Sequence, residues 1–362
     1  TCGRLGALNK GKQIHDQIVS SRLLEENVML GTAVVDMYAK CGLLAKAKQV
    51  HDELHVRNIV SWNVLITGYT QEGQADNALK CLEWIQNEGH SPDAITFTCI
   101  LKLCGSIKNI DKGREIHERV VSSGLLAKDI VLGTAVIDMY AKNGMLEKAQ
   151  EVLDQLSVKD TIAWNALIGG YVQQGRGHEA LNCFDRMQSE GLSPNVVTFI
   201  CILKACGSIG DFGKGKQIHD EITARGLLKQ NIVLGNALID MYAKFGMIAM
   251  AHQVHKELPI RDVVSWNVLI AGYAQYGQGH RALDCLERMQ REDISPDEFT
   301  FTCILKACGS IGALEEGQKI HGMIMDRVLV IKNHMVGNAL VDMYAKCGAF
   351  EKAGQVLEER HV

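Results

Sequence analysis

The sequence predicts an all-α protein, a solenoid of stacked helix-turn-helix hairpins, and three observations predict it. The first is an internal period. WNxLIxGY recurs around Trp62, Trp164 and Trp266, and DMYAK ends at Lys40, Lys142, Lys244 and Lys346, in each case 102 residues apart. LKxCGSI, beginning at Leu101, Leu203 and Leu305, keeps the same interval. The second is helical spacing of apolar residues inside the period. The third is punctuation: only four prolines occur in 362 residues, and glycines fall where a helix should stop. Each hairpin is too small to bury its own apolar faces, so neighbouring hairpins must do it.

The stretch 263–297 shows the unit most clearly. Trp266, Leu269, Ile270 and Tyr273 fall on one stripe of a first helix, which Gly277 ends. Ala282, Leu286 and Met289 make the stripe of a second helix, and Pro296 closes the unit. Cut this way, each period holds hairpins of 35, 36 and 31 residues. The complete units are 28–58, 59–93, 94–129, 130–160, 161–195, 196–231, 232–262, 263–297 and 298–333, flanked by partial units 1–27 and 334–362. A solenoid of this kind is a single array, 1–362, with one continuous core and no internal linkers.

Composition excludes several classes. With 47% hydrophobic and 22% charged residues the chain reads as an ordinary folded protein. No apolar run approaches the ~18 residues of a membrane-spanning helix, and no targeting segment stands at Thr1, where the chain starts in mid-repeat. The twelve cysteines all sit on repeat registers. Cys2, Cys104, Cys206 and Cys308 form one, Cys99, Cys201 and Cys303 another, Cys81, Cys183 and Cys285 a third, Cys41 and Cys347 the last. No CxxC occurs, so they read as small, buried, reduced packing residues rather than metal ligands or disulfides; no cofactor is expected. The net charge of −4 lacks the general basic surface of many nucleic-acid binders. Charge placement therefore matters more than its sum.

Advancing 100° per residue, the second, fifth, ninth and thirteenth residues of each unit fall opposite the packed stripe. The second is always apolar: Met29, Val60, Ile95, Val131, Ile162, Val197, Val233, Val264, Phe299 and Met335. Either each packs on the adjacent hairpin, or together they form clefts into which flat bases slide. The fifth residue reads Thr32, Asn63, Thr98, Thr134, Asn165, Ile200, Asn236, Asn267, Thr302 and Asn338. The last reads Asn58, Asp93, Asp129, Asp160, Asn195, Asn231, Asp262, Asp297 and Asn333. Asp and Asn both cap a following helix well, yet capping does not explain why they alternate while the framework stays constant.

Base edges do explain it. An ionised Asp only accepts, which suits the ring N–H of uracil or guanine, whereas Asn also donates, which suits the bare ring nitrogen of cytosine or adenine. Asn at the fifth position suits a pyrimidine and Thr a purine. That is one base per hairpin read by two side chains, with stacking supplied by the apolar row. Lys40, Lys142, Lys244 and Lys346, thirteenth in the short units, share this face and are candidates for phosphate contact. Lys102, Lys204 and Lys306, ninth in the 36-residue units, lie there too. Asp36, Asp138, Asp240 and Asp342 precede the first set by four residues, so simple i,i+4 ion pairs are the alternative.

These residues resemble the plant pentatricopeptide-repeat proteins, and specifically their PLS subfamily. The 35-residue units with VVSWNVLIAGY and ISPD resemble P repeats, the 36-residue units with FTFTCILKACGSIGALEEGQKIH resemble L repeats, and the 31-residue units with VGNALVDMYAKCG resemble S repeats. The likeness covers the whole chain. It implies a right-handed superhelical array binding single-stranded organellar RNA, mitochondrial or chloroplast, with the chain parallel to the RNA. It also implies a code unit by unit. Thr32/Asn58 would select adenine, Asn63/Asp93 uracil, Thr134/Asp160 guanine and Asn165/Asn195 cytosine. Asn236/Asp262 and Asn267/Asp297 would each select uracil. Thr98/Asp129 and Thr302/Asn333 are weaker readers, Ile200/Asn231 departs from the code, and Asn338 lacks its partner residue. The implied site is 5′-A-U-n-G-C-n-U-U-n.

The resemblance further implies the address-reading part of a C-to-U RNA editing factor, partnered by small editing cofactors on the L units and by a zinc deaminase in cis or in trans. Such a deaminase needs H-x-E and P-C-x-x-C. H-x-E occurs at His51–Glu53, His219–Glu221 and His255–Glu257, each within a second helix, and no proline precedes a cysteine. The chain itself is therefore expected to be non-catalytic. The rival reading is a protein-binding scaffold of the tetratricopeptide kind, which keeps a 34-residue period and has no use for paired Asn/Thr and Asp/Asn switches.

Overall fold

The protein, in a computed structural model, is described here over residues 8–21, 23, 27–126, 128–325 and 334–359. Among them lie 21 α-helices, one short 3-10 turn at Leu227–Lys229 and no strand. The first helix begins on the first residue of its unit in all ten described cases, from Val28–Lys40 to His334–Lys346. The cause is local. Wherever the last residue of the preceding unit is described, from Asn27 to Asp297, its side chain caps the new helix, as when Asp262 accepts from the Ser265 backbone N–H at 2.8 Å.

Residues divide into two compact units, 1–174 and 175–362. In the first, the helices Val28–Lys40, Ile59–Gln71, Ala94–Ser106, Ile130–Lys142 and Thr161–Gln173 pack side by side as one layer. Each second helix leans on its own first helix and on the first helix that follows. The second unit repeats this arrangement from Val196–Ile209 to Phe350–Glu359. The predicted stripes form the core: Trp266, Leu269, Ile270 and Tyr273, like Ala282, Leu286 and Met289, are each at most 4% exposed.

The turns follow the glycine registers. Gly277 has φ 69°, in the left-handed region that only glycine enters freely, and Gly73 and Gly175 do the same in their copies. Two copies break this habit. Lys108 and Asp293 hold φ of 55° and 57° where the other periods place glycine, a conformation costing roughly 1–2 kcal/mol for an L residue.

Close approach also demands glycine at the fourth residue of the short units. A Cβ on Gly31, Gly133 or Gly235 would stand 2.4–2.7 Å from a methyl of Leu54, Leu156 or Leu258. The leucine that ends each short second helix thus closes over the residue beside the fifth position. Between units, His15, His117, His219 and His321 each bond through Nδ1 to the hydroxyl of Tyr38, Tyr140, Tyr242 or Tyr344 at 2.7–3.1 Å. That register ties a 36-residue unit to the short unit after it.

The cysteine expectation needs one correction. The described cysteines are free thiols, but Cys41, Cys99, Cys201 and Cys347 are only half-buried. They sit at a helix end or on the flank of the stripe, where no neighbour covers them completely. For the buried registers, burial pushes Cys81, Cys206 and Cys285 up to about 12 and Cys104, Cys303 and Cys308 up to about 11. Such thiols stay protonated and inert. Cys2 lies outside the described residues.

Candidate nucleic-acid interface

All ten second residues are exposed, from 49% for Val264 to 84% for Met29. This exposure weighs against full packing of the row on the adjacent hairpin. An apolar side chain fully packed on its neighbour is buried, and these stay about half exposed or more. A repeated, solvent-facing apolar row is what a stacking platform requires. It runs through Met29, Val60, Ile95, Val131 and Ile162 in the first compact unit. In the second it runs through Val197, Val233, Val264, Phe299 and Met335.

In three units the fifth and last residues meet, although they stand 26 or 30 residues apart in sequence. Asn63 donates from Nδ2 to both oxygens of Asp93, at 3.0 and 3.2 Å. Asn267 does the same to Asp297, at 2.9 and 3.1 Å. Asn236 makes a single, longer bond of 3.4 Å to Asp262. The three Asn residues are buried, at 5–8% exposed, while their Asp partners are half-buried. Each pair therefore presents a small polar edge set into an apolar row, which is the form of a specificity-giving pocket.

A hydroxyl completes two of these pairs. Thr96 Oγ1 donates to Asn63 Oδ1 at 2.6 Å, and Thr300 Oγ1 to Asn267 Oδ1 at 2.5 Å. Burial opposes ionisation of Asp297. Hydrogen bonds from the Thr300 backbone N–H and the Asn267 amide outweigh it and hold the carboxyl below its ordinary value. Asp297 is thus an acceptor only, the state that a ring N–H needs opposite it.

The threonine positions behave differently. Thr32 and Thr302 turn their hydroxyls back on their own helices, donating to the Val28 and Glu298 carbonyls at 2.8 Å. Thr134 Oγ1 is buried and bonds to nothing. Asp160 and Asp129 cap the helices that follow them, through the N–H of Ala163 and the N–H groups of Val131 and Leu132. Thr98 and Ile200 are half-buried and Asn338 is exposed. Asn58, Asn195 and Asn231 cap their helices as Asp does. Asn333 falls outside the described residues.

The four lysines of the short units form the ion pairs of the alternative reading. Lys40, Lys142, Lys244 and Lys346 reach Asp36, Asp138, Asp240 and Asp342 at 2.5–2.8 Å, while 40–54% of each lysine side chain stays exposed. A glycine of the preceding unit makes room for three of their stems. A Cβ on Gly105, Gly207 or Gly309 would sit 3.2 Å from Cδ of Lys142, Lys244 or Lys346. A phosphate at these sites would compete with a carboxylate already in place. Among the described residues, Lys102, Lys204 and Lys306 are exposed and pair with no carboxylate. They are the freer cations of this face.

Helical spacing marks Thr96 and Thr300 only as framework. A finer signal was present, because Thr occupies the third position of every complete 36-residue unit (Thr96, Thr198 and Thr300) while the 35-residue units carry Ser61, Ala163 and Ser265. Two of the H-x-E histidines, His51 and His255, lie in the core against Trp62 and Trp266, with ring centroids 4.1 and 4.3 Å apart. No described helix is long and apolar enough to cross a membrane.

Comparison with known proteins agrees with this architecture. A model of the PPR repeat family matches residues 57–106, 159–208 and 261–310, and a PPR repeat model matches 32–59, 134–160, 236–263 and 338–359. The chain is similar to pentatricopeptide repeat-containing protein At4g18520, chloroplastic, of Arabidopsis thaliana, at 33% identity over 99% of this chain and 57% of that protein. The chloroplastic At1g11290 of the same plant is 35% identical over 100% of this chain and 44% of its own length. The mitochondrial At2g03380 is 33% identical over 99% and 52%. The chain thus spans about half the length of the curated relatives it matches. In fold it is similar to the pentatricopeptide repeat protein PPR10 in complex with an 18-nt psaJ RNA element, with TM-score 0.70 and 18% identity over 86% of this chain and 47% of that one. The structure of PPR10 from maize gives TM-score 0.57 and 21% identity over 99% and 58%. Matched by repeat models over most of its length, and built from stacked helical hairpins throughout the described residues, the chain belongs to the pentatricopeptide-repeat family.

Proposed function

We propose that the chain binds single-stranded RNA in a sequence-specific manner, one base per hairpin, as the target-reading part of an organellar C-to-U RNA editing factor of the PLS type. The observation that carries this is the exposed apolar row set beside hydrogen-bonded fifth and last residues. The row gives every base a surface to stack on, and the paired side chains give each base edge a different partner. Asn63/Asp93, Asn236/Asp262 and Asn267/Asp297 read uracil, Thr134/Asp160 guanine, Asn165/Asn195 cytosine and Thr32/Asn58 adenine, for a site 5′-A-U-n-G-C-n-U-U-n. The deaminase acts from a separate domain or chain, and small editing cofactors engage the L units. The chloroplastic and mitochondrial relatives support an organellar setting. Exposed lysines over a net charge of −4 fit modest non-specific affinity and selectivity carried by bases.

The test is a titration of the purified chain at fixed moderate salt with 5′-AUAGCAUUA and with a shuffled oligomer of the same composition. Tighter binding to the first is expected. Equal affinities would speak against base reading and favour a protein-binding scaffold.

A further inference from the structure

We propose that Thr96 and Thr300 are positioning residues for base selection. Their hydroxyls hold the Asn amide of the preceding unit in one orientation, so that its edge and the Asp carboxylate face the base as one rigid pair. The inference rests on the base-reading assignment above and adds a third side chain to each reading site, contributed by the following hairpin.

The argument is one of donors and acceptors. Asn267 Nδ2 is committed to the Asp297 carboxylate, whose oxygens only accept. This leaves Asn267 Oδ1 buried and in need of a donor. The Thr300 hydroxyl stands 2.5 Å from it and 2.8 Å from Asp297 Oδ1; its one proton goes to Asn267 Oδ1, because Asp297 Oδ1 already accepts from the Thr300 N–H and the Asn267 amide. The same hydroxyl accepts from the Asp297 backbone N–H at 3.1 Å, and Asp297 Oδ1 accepts from the Thr300 N–H at 2.8 Å. The amide therefore cannot rotate without leaving an acceptor facing a carboxylate. Asn63, Asp93 and Thr96 repeat the arrangement, with the hydroxyl 2.6 Å from Asn63 Oδ1 and the Asp93 backbone N–H 3.3 Å from the hydroxyl oxygen. Two copies 204 residues apart in sequence thus build the same network.

A third copy lacks the threonine and shows what it contributes. Asn236 and Asp262 are followed by Ser265, which is fully buried. Its hydroxyl donates instead to the Asp262 carbonyl at 2.8 Å. Asn236 Oδ1 is left buried with no partner, and the bond from its Nδ2 to Asp262 lengthens to 3.4 Å. Ser61 also donates to the carbonyl of its capping residue, Asn58, at 2.8 Å, where the fifth residue of the preceding unit is Thr32 and offers no amide. Threonine follows the 35-residue units and serine the 31-residue unit, and the γ-methyl, which stiffens χ1, is the difference that a Thr→Ser exchange isolates.

This contrast supplies a test that spares the fold, because Ser265 and Ser61 still complete capping boxes. Thr300→Ser should keep the thermal midpoint. It should cut the preference for uracil over cytosine at the base read by Asn267 and Asp297 about three- to tenfold, the worth of one net hydrogen bond. Preference at the base read by Asn63 and Asp93 should not change. Thr300→Val, which removes the donor outright, should lower discrimination at least as much. A base profile unmoved by both variants, or an equal loss of affinity for all four bases, would overturn the inference, provided Asp297→Asn in the same assay shifts the profile. If Asp297→Asn shifts nothing, the base-reading assignment fails, and this inference with it.

Discussion

Acidification from pH 7 to about 4 is expected to cost the protein several kcal/mol, most of it through two histidines. His51 and His255 are 0% and 2% exposed and lie against Trp62 and Trp266. Burial pushes the His51 imidazole down to about 4, against the opposing attraction of Asp52, and pushes His255 down to about 3, with Arg261 and His252 adding to the effect. In the unfolded chain each returns to its ordinary value near 6.5. The folded state therefore binds the proton more weakly, so the unfolded state is protonated first as the pH falls. Their contribution is full above about 6.5, declines through the window down to about 4 for His51 and about 3 for His255, and changes no further below. Each tenfold weakening of proton affinity is worth about 1.4 kcal/mol, so the two sites lose on the order of 3 kcal/mol apiece by pH 4.

The middle copy of the repeat supplies the control. At the same registers it carries Leu153 and Ala163, both fully buried, in place of a histidine and a serine. Replacing His51 by Leu with Ser61 by Ala, and His255 by Leu with Ser265 by Ala, should flatten the acid limb. Urea denaturation at pH 7, 5.5 and 4 measures it. An unchanged loss between pH 7 and 4 in the quadruple variant would show that the acid sensitivity resides elsewhere. His15, His117, His219 and His252, also lowered first by burial, act in the same direction and account for the remainder of the slope.

Asp160→Asn is expected to change what the chain binds without changing how it folds. Asp160 caps its helix by accepting from the Ala163 N–H, and Asn195 and Asn58 perform the same task elsewhere. Capping is therefore retained. The chemistry at the base is not, because a donor joins what had been acceptors only. Preference at the base read with Thr134 should move from guanine toward adenine by roughly 10- to 100-fold, the usual range for exchanging one buried polar match for a mismatch. Binding to oligomers that differ only at that base measures the shift. An unaltered order of preference would remove Thr134 and Asp160 from the readers.

Much of this is visible in the sequence because the chain repeats itself. A period of 102 residues sets where each hairpin begins, and the observed first helices start on those residues. The ten second residues can be placed opposite the core from helical spacing alone. Their exposure cannot, since the same apolar letters serve equally well packed against a neighbour. What stays hidden depends on rotamers and on contacts between hairpins. That Lys142 lies over Gly105, that Thr300 donates to an Asn thirty-three residues earlier, and that Ser265 does not reach Asn236, follow from side-chain geometry that spacing does not encode. Lys108 and Asp293 in left-handed turns show only through the repeat, because the other periods place glycine at their registers.

The most direct test of the central claim is a crystal structure of the chain bound to 5′-AUAGCAUUA. Successive bases are predicted to lodge between neighbouring second residues such as Val264 and Phe299, with a uracil edge within hydrogen-bond distance of Asn267 and Asp297. RNA held along the second helices, or bases pointing away from the fifth and last residues, would contradict it.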